Sequence, residues 1–272
     1  MSAGLTYRLG RIFGHDGRAM ILPVDHGLML GRIPGLEQPK ALVEAAAGAG
    51  CDGLLMSAGL ARATAGMFAH RHAPARLLTL DTLLGANEQD TGAAALVASV
   101  EQAARLGADA VKLLMAWDAP GGHQAAAAKR IAAVAGEAAR WEIPLMVEPV
   151  TLRTPRSPQA IELELDAARI AMELGADIIK MAYPGSPEVM KSLSEELGLP
   201  VVILGGPKVA GAAGLVRLVG EAMAAGASGI VIGRQVWQRS PAERSAVMKA
   251  LVEVVHGRLD ADEAVKGLQP VA

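Results

Sequence analysis

Short aliphatic runs alternate with alanine-rich stretches of helical periodicity along the whole chain. The runs predict strands over Met20–Val24, Gly53–Met56, Arg76–Leu80, Ala110–Met115, Leu145–Glu148, Ile178–Ala182, Val201–Leu204 and Gly229–Ile232. Helical patterns lie between and after them, near Pro39–Gly48, Leu60–His70, Ala93–Leu106, Gln124–Trp141, Gln159–Leu174, Pro187–Leu197, Gly211–Ala225 and Pro241–His256. Strand–helix alternation builds βαβ units on a parallel sheet. The strands are apolar at nearly every position, as a sheet covered on both faces requires.

A local signature recurs at four helix-to-strand joints: Gly50-Cys51-Asp52, Gly107-Ala108-Asp109, Gly175-Ala176-Asp177 and Gly226-Ala227-Ser228. Glycine just past a helix end takes the left-handed backbone conformation, and the next two residues turn into the strand. No Pro/Ser-rich linker divides the chain. Eight units in 272 residues predict one (β/α)8 TIM barrel, a fold of about 250 residues. The domain spans 1–272, with 1–18 as a lead-in segment. An open doubly wound sheet is the alternative. No Gly-x-Gly-x-x-Gly follows the first strand, which counts against a dinucleotide site.

Composition narrows the function. Hydrophobic residues make up 51%, which excludes a disordered chain. Lys plus Arg (26) nearly balances Asp plus Glu (28), so no basic face for nucleic acid or an acidic membrane is expected. No apolar run approaches the ~20 residues of a membrane span, and Met1–Gly17 lacks the apolar core of a secretory signal. The one cysteine, Cys51, can form no internal disulfide. A cytoplasmic protein is expected.

Barrel chemistry sits at the C-terminal ends of the strands. The polar residues within or just after the predicted strands are Asp25, Lys112, Glu148, Lys180, Gly205-Gly206-Pro207-Lys208 and Gly233-Arg234. They come from strands 1, 4, 5, 6, 7 and 8. Burial disfavours an ammonium ion, so an inward lysine tends toward the neutral amine that attacks a carbonyl to form a Schiff base. Lys180 and Lys112 both have this placement, and two inward lysines would each lower the other's pKa. The residues alone do not choose between them. Asp25 and Glu148 suit proton transfer and the orientation of hydroxyls. His26 reads as a structural hydrogen-bonding residue. The glycine loops after strands 7 and 8 suit a phosphate, with Gly205, Gly206 and Gly233 admitting backbone N–H groups and Lys208 and Arg234 adding charge. His70-Arg71-His72 reads as an exposed loop. No other His or Cys has the spacing of a metal site, so neither metal nor cofactor is expected.

With these motifs the chain resembles class I aldolases of the archaeal-type fructose-bisphosphate aldolase (DhnA-like) family. Segments carrying the resemblance include Arg8-Leu9-Gly10-Arg11-Ile12-Phe13, Pro23-Val24-Asp25-His26-Gly27, Gly175-Ala176-Asp177-Ile178-Ile179-Lys180, Gly205-Gly206-Pro207-Lys208 and Gly233-Arg234-Gln235-Val236-Trp237. The resemblance implies a (β/α)8 barrel, Lys180 as the Schiff-base lysine, and Asp25 as the strand 1 acid. It also implies Gly205, Gly206, Lys208, Gly233 and Arg234 as phosphate ligands, and a homo-oligomer. One segment departs from the family. After strand 5 the chain reads Val147-Glu148-Pro149-Val150-Thr151-Leu152-Arg153 and lacks the tyrosine proton shuttle. Val111-Lys112-Leu113-Leu114 and Val147-Glu148-Pro149 look instead like the tagatose-bisphosphate and sulfofructose-phosphate aldolases, which use an extra strand lysine and a glutamate.

The implied function is a class I lyase that reversibly cleaves a phosphorylated ketose to a dihydroxyacetone-phosphate-like product and an aldehyde. Two alternatives are acyl transfer to coenzyme A, as in the phosphopentanedione thiolases, and a non-covalent phosphosugar isomerase or binding barrel. Specificity for the aldehyde half rests on loops after strands 2, 3 and 4, with Arg62, Arg153 and Arg156 as candidate contacts to a distal anionic group.

Overall fold

The computed structural model describes residues 1–83, 94–118, 123–152, 154–205 and 211–268. Eight parallel strands close into a barrel in sequence order: β1 (Ala19–Pro23), β2 (Gly53–Met56), β3 (Ala75–Thr79), β4 (Ala110–Ala116), β5 (Leu145–Val150), β6 (Ile178–Ala182), β7 (Val201–Leu204) and β8 (Gly229–Val231). β8 closes onto β1 with Ala19 opposite Gly229. Only glycine fits there, because a Cβ on Gly229 would stand 2.1 Å from the Ala19 carbonyl oxygen.

The expected helices form around the barrel, including α3 (Pro39–Gly48), α6 (His123–Trp141), α7 (Pro158–Glu173), α8 (Pro187–Leu197), α9 (Gly211–Ala224) and α11 (Pro241–Val255), with α2 (Gly27–Leu30), α4 (Ala58–Ala63), α5 (Val100–Arg105) and α12 (Ala261–Lys266) as further, shorter helices. Ser157, Ser186 and Ser240 each cap a helix that has proline in its first turn, where the missing N–H costs nothing. Among the described residues no helix is long and apolar enough to cross a membrane.

Two expected helices are shorter than their patterns. Of the pattern over 93–106, the described residues 94–106 are helical only at Val100–Arg105, opened by a Ser99 cap. Ala95–Leu96 pairs antiparallel with Asp81–Thr82 instead, and the Val97 N–H donates to the Leu80 carbonyl at 2.8 Å. That long-range pairing overrides alanine's local preference for helix. Over 60–70 the α-helix runs from Ala58 to Ala63, and the Thr64 hydroxyl bonds back to the Leu60 carbonyl at 2.8 Å, where a short 3-10 turn takes over.

The lead-in also carries structure. α1 (Ala3–Phe13) buries Ile12 and Phe13 against inward side chains from the strands, among them Ile21, Leu55, Leu77, Met146, Ile178 and Val231. It therefore plugs the floor of the barrel with an apolar layer. A separate, larger core lies between strands and helices. Cys51 belongs to that core, and burial pushes its thiol up to about 12.

The four joints share one device. Gly50, Gly107, Gly175 and Gly226 all have positive φ. Asp52, Asp109 and Asp177 then turn back on the strand before them. Their carboxylates accept the N–H groups of Met20, Arg76 and Leu145 at 2.7, 2.9 and 2.9 Å. Their own N–H groups donate to the carbonyls of the same three residues at 2.9, 2.7 and 2.8 Å. Backbone groups at the barrel floor are thereby satisfied.

His256, just past α11, lies between two carboxylates, with Nδ1 2.5 Å from Asp16 and Nε2 3.0 Å from Asp52. The Asp52 contact, joined by Asp16 and opposed by partial burial, pushes the imidazole up to about 9 from its ordinary 6.5. A raised folded-state pKa adds stability that is complete below the unfolded value and is lost as pH rises through the folded one. Replacing His256 by Gln should therefore cost on the order of 1–3 kcal/mol near pH 6. By thermal melts, the wild-type advantage over H256Q should be a few degrees near pH 6 and should shrink between pH 8 and 10. An advantage independent of pH would contradict the charged latch.

Candidate active site

Strand side chains alternate between faces. One inward position beyond the apolar floor, the barrel changes character. Above Leu77 comes Thr79, above Ala110 Lys112, above Met146 Glu148, and above Ile178 Lys180. Lys112, Glu148 and Lys180 are each at least nine-tenths buried. The Glu148 carboxylate bridges the two ammonium groups, with Lys112 Nζ 2.6 Å from Oε2 and Lys180 Nζ 2.7 Å from Oε1. Asp25 follows β1 and joins them from the other side. It accepts the Thr79 hydroxyl at 2.6 Å and lies 3.4 Å from His26 Nδ1.

Burial alone would raise both carboxyls. The Lys112 and Lys180 charges instead hold Glu148 well below the ordinary carboxylate range. Against the same burial, His26, then Lys112 and Lys180, hold Asp25 low. For Lys112 the sequence expectation is reversed. Burial does oppose its charge, but Glu148, Asp81 and Asp25 together push it above its ordinary value. A neighbouring lysine was expected to depress it, yet three carboxylates outweigh one cation.

All four of these residues line one cavity of about 350 Å³ at the C-terminal mouth of the barrel. A second cavity of about 280 Å³ adjoins it and shares Lys180, Glu148, His26, Leu204 and Arg234. Gly205 and Gly233 line this second cavity, next to Arg234 at the start of α10 (Arg234–Trp237). The Gly205 carbonyl accepts the Gln235 side-chain amide. Gly233 has no room for a side chain, since a Cβ would lie 2.8 Å from both Pro23 and Trp237. Gly206, Lys208 and Arg153 lie outside the described residues. Arg62 and Arg156 line neither cavity. Arg156 is tied to Glu164 at 2.5 Å and to the Tyr183 carbonyl at 2.7 Å. His70-Arg71-His72 lies in an exposed loop just before β3, at the opposite end. Among the described residues no three His, Cys, Asp or Glu side chains are placed to hold a metal ion.

The sequence reading passed over two contributors. Asp81, just beyond β3, is buried, and both its oxygens accept the Leu114 N–H at 3.0 Å. Burial raises its pKa, against Lys112 and Arg130. Arg130 on α6 stands 3.4 Å from it and donates to the Leu114 carbonyl at 2.8 Å. Asp81 was visible in principle, because it follows strand 3 as Asp25 follows strand 1. His26 has its edge-on contact with Trp237, at 5.4 Å between centroids. Trp237 is held in turn by its indole N–H, which donates to the Pro23 carbonyl at 3.1 Å.

Residues 19–239 match the family described as DeoC/LacD family aldolase. An uncharacterized aldolase of Saccharolobus solfataricus is 32% identical to the chain, with 98% of this chain and 99% of that protein covered. The 2-amino-3,7-dideoxy-D-threo-hept-6-ulosonate synthase of Halobacterium salinarum is 33% identical, covering 97% and 96%. Among solved structures, an archaeal fructose 1,6-bisphosphate aldolase superposes with a TM-score of 0.79 at 31% identity, covering 93% of this chain and 99% of that one. An archaeal fructose-1,6-bisphosphate aldolase with its catalytic lysine covalently bound to the carbinolamine intermediate gives 0.78 at 30% identity, covering 93% and 100%.

The bridge fixes an order of stability. Removing Glu148 leaves two buried cations facing each other, whereas removing Lys112 leaves Glu148 paired with Lys180. Breaking a buried pair from one side costs about 3–5 kcal/mol. Glu148→Gln should reach that range in urea unfolding, and Lys112→Met should cost clearly less. Equal losses, or the reverse order, would contradict a shared carboxylate.

Proposed function

The chain belongs to the DeoC/LacD family of aldolases, and on that premise we propose that it cleaves a phosphorylated ketose with Lys180 as its nucleophile. It is a class I, Schiff-base lyase. The observation that carries the assignment of residues is the Glu148 carboxylate shared by Lys180 and Lys112 at the meeting point of two cavities.

One proton crossing the 2.7 Å contact from Lys180 to Glu148 leaves a neutral amine beside a neutral carboxylic acid. The amine adds to the C2 ketone. Glu148 returns its proton to the departing hydroxyl, and loss of water gives the iminium. A base then takes the C4 hydroxyl proton, the C3–C4 bond breaks, and its electron pair moves into the iminium to give an enamine and a free aldehyde. Protonation at C3 and addition of water release the dihydroxyacetone-phosphate-like product and restore the amine. Glu148 is the proton shuttle. Lys112 supplies fixed positive charge, and Asp25 orients substrate hydroxyls. Gly205, Gly206, Lys208, Gly233 and Arg234 hold the phosphate, whose binding energy positions the carbon chain.

This reading takes residues 1–272 as one aldolase domain, cytoplasmic and homo-oligomeric.

Borohydride reduction in the presence of dihydroxyacetone phosphate should add a covalent mass to the peptide containing Lys180. Lys180→Met should lose the adduct and at least a thousand-fold of kcat, and activity should survive EDTA. An adduct on Lys112, or no adduct under turnover conditions, would overturn the assignment.

A further inference from the structure

The two adjoining cavities are chemically unlike, and Lys180 lies between them. The smaller carries Gly205, Gly233 and Arg234, which suit an anion. The larger is walled toward solvent by Leu28, Met29, Leu30, Leu83, Val150 and Leu152. Resting on the reading above, we propose that the half of the substrate released as aldehyde is uncharged and apolar beyond its reacting carbon.

The geometry points this way in three steps. With C2 bonded to Lys180 and the C1 phosphate in the glycine-lined cavity, C4 onward extends into the larger one. The bases lining that chamber among the described residues are Lys112, Lys180, His26 and Arg234. Lys112 and Lys180 share Glu148, His26 stands 3.4 Å from Asp25, and Arg234, which lines both cavities, is taken up by the phosphate. The polar groups at its base are also engaged: the Thr79 hydroxyl with Asp25, Asp81 with the Leu114 N–H, and the Thr82 hydroxyl with the Leu28 carbonyl at 3.4 Å. A second phosphate at the wall of Leu28, Met29, Leu30 and Leu152 would meet aliphatic carbon, with every basic side chain of the described lining already engaged elsewhere, and burying an unpaired charge is costly.

The wall is itself unusual. Met29 is 37% exposed, Leu30 46% and Leu152 43%. Aliphatic side chains grouped in water around a cavity gain free energy when an apolar ligand covers them. In sequence, the segments outside the described residues that follow β3, β4 and β5 carry one basic residue. After β3, residues 84–93 bring Glu88 and Asp90 and no base; after β4, residues 119–122 bring no charge; after β5 there is Arg153.

The test runs the reaction in the synthetic direction on the intact enzyme, with dihydroxyacetone phosphate as common donor. Borohydride trapping with the donor alone checks the Schiff-base reading independently of any aldehyde. Butanal and glyceraldehyde 3-phosphate are then compared as acceptors. The kcat/KM for butanal should exceed that for the phosphorylated aldehyde at least ten-fold. Leu30→Arg, a change at an exposed position, should narrow that ratio at least ten-fold while trapping by the donor persists. A higher kcat/KM for glyceraldehyde 3-phosphate would overturn the proposal, and loss of that preference in Arg153→Ala would identify the cation responsible. An unchanged ratio in L30R would overturn it equally. Failure of donor trapping would instead bring down the aldolase reading on which the proposal rests.

Discussion

Glu148 has two carboxylate oxygens, and each holds a different buried ammonium group. Everything above the barrel floor depends on that division. Two lysines cannot face each other in an apolar interior without an anion between them. One carboxylate does not balance two cations, so the layer continues outward. Asp25 and Asp81 add negative charge, and Arg130 approaches Asp81 from the helix side. Three acids and three bases then close the account locally. The layer beneath them, sealed by Ile12 and Phe13 of α1, is wholly apolar and keeps those charges acting on one another.

The same bridge decides what each lysine can do. Lys112 faces three carboxylates and stays cationic. In the proposed reaction, that fixed positive charge stabilises negative charge developing on the substrate. In the proposed reaction Lys180 passes one proton to the Glu148 oxygen it touches at 2.7 Å and becomes the nucleophile. Asp81 and Asp25 add to the negative charge that Lys112 faces, whereas the strand positions of the two lysines are alike. That is why the sequence pattern left the two lysines equivalent, and why family resemblance, not residue physics, separated them.

Legibility followed the range of the interactions. Strand positions were readable to within about two residues, because each strand is an apolar run closed by a turn signal. Lys112, Glu148 and Lys180 stood out as charges inside such runs. Asp25 stood out because it ends one. Asp81 obeys the same rule after strand 3, but the pattern there dissolves into Thr82-Leu83-Leu84 and its partner lies 33 positions away on β4. Arg130 gave no signal at all, since an arginine in an alanine-rich helix looks like any solvated position. The strand pairing at Ala95–Leu96 was hidden by alanine's preference for helix. The lead-in was hidden by its arginines, although Ile12 and Phe13 are its buried end.

The two ends of the barrel divide their tasks by how their polar groups are bound. At the floor, Asp52, Asp109 and Asp177 each exchange two hydrogen bonds with a single residue of the preceding strand. Their carboxylates hold backbone N–H groups, and Asp52 and Asp109 also pair with His256 and Arg11, so they tie the floor together. At the mouth, Glu148 and Asp25 spend their oxygens on side chains, which can move, exchange protons and give way to substrate. Fixing backbone at one end is what leaves side-chain charge free at the other. At the floor each of the three acids holds an N–H of the neighbouring strand, and at the mouth Glu148 holds two ammonium groups. Asp81 has both, holding the Leu114 N–H while raising the pKa of Lys112, and it joins the framework of the barrel to the charged layer that the framework carries.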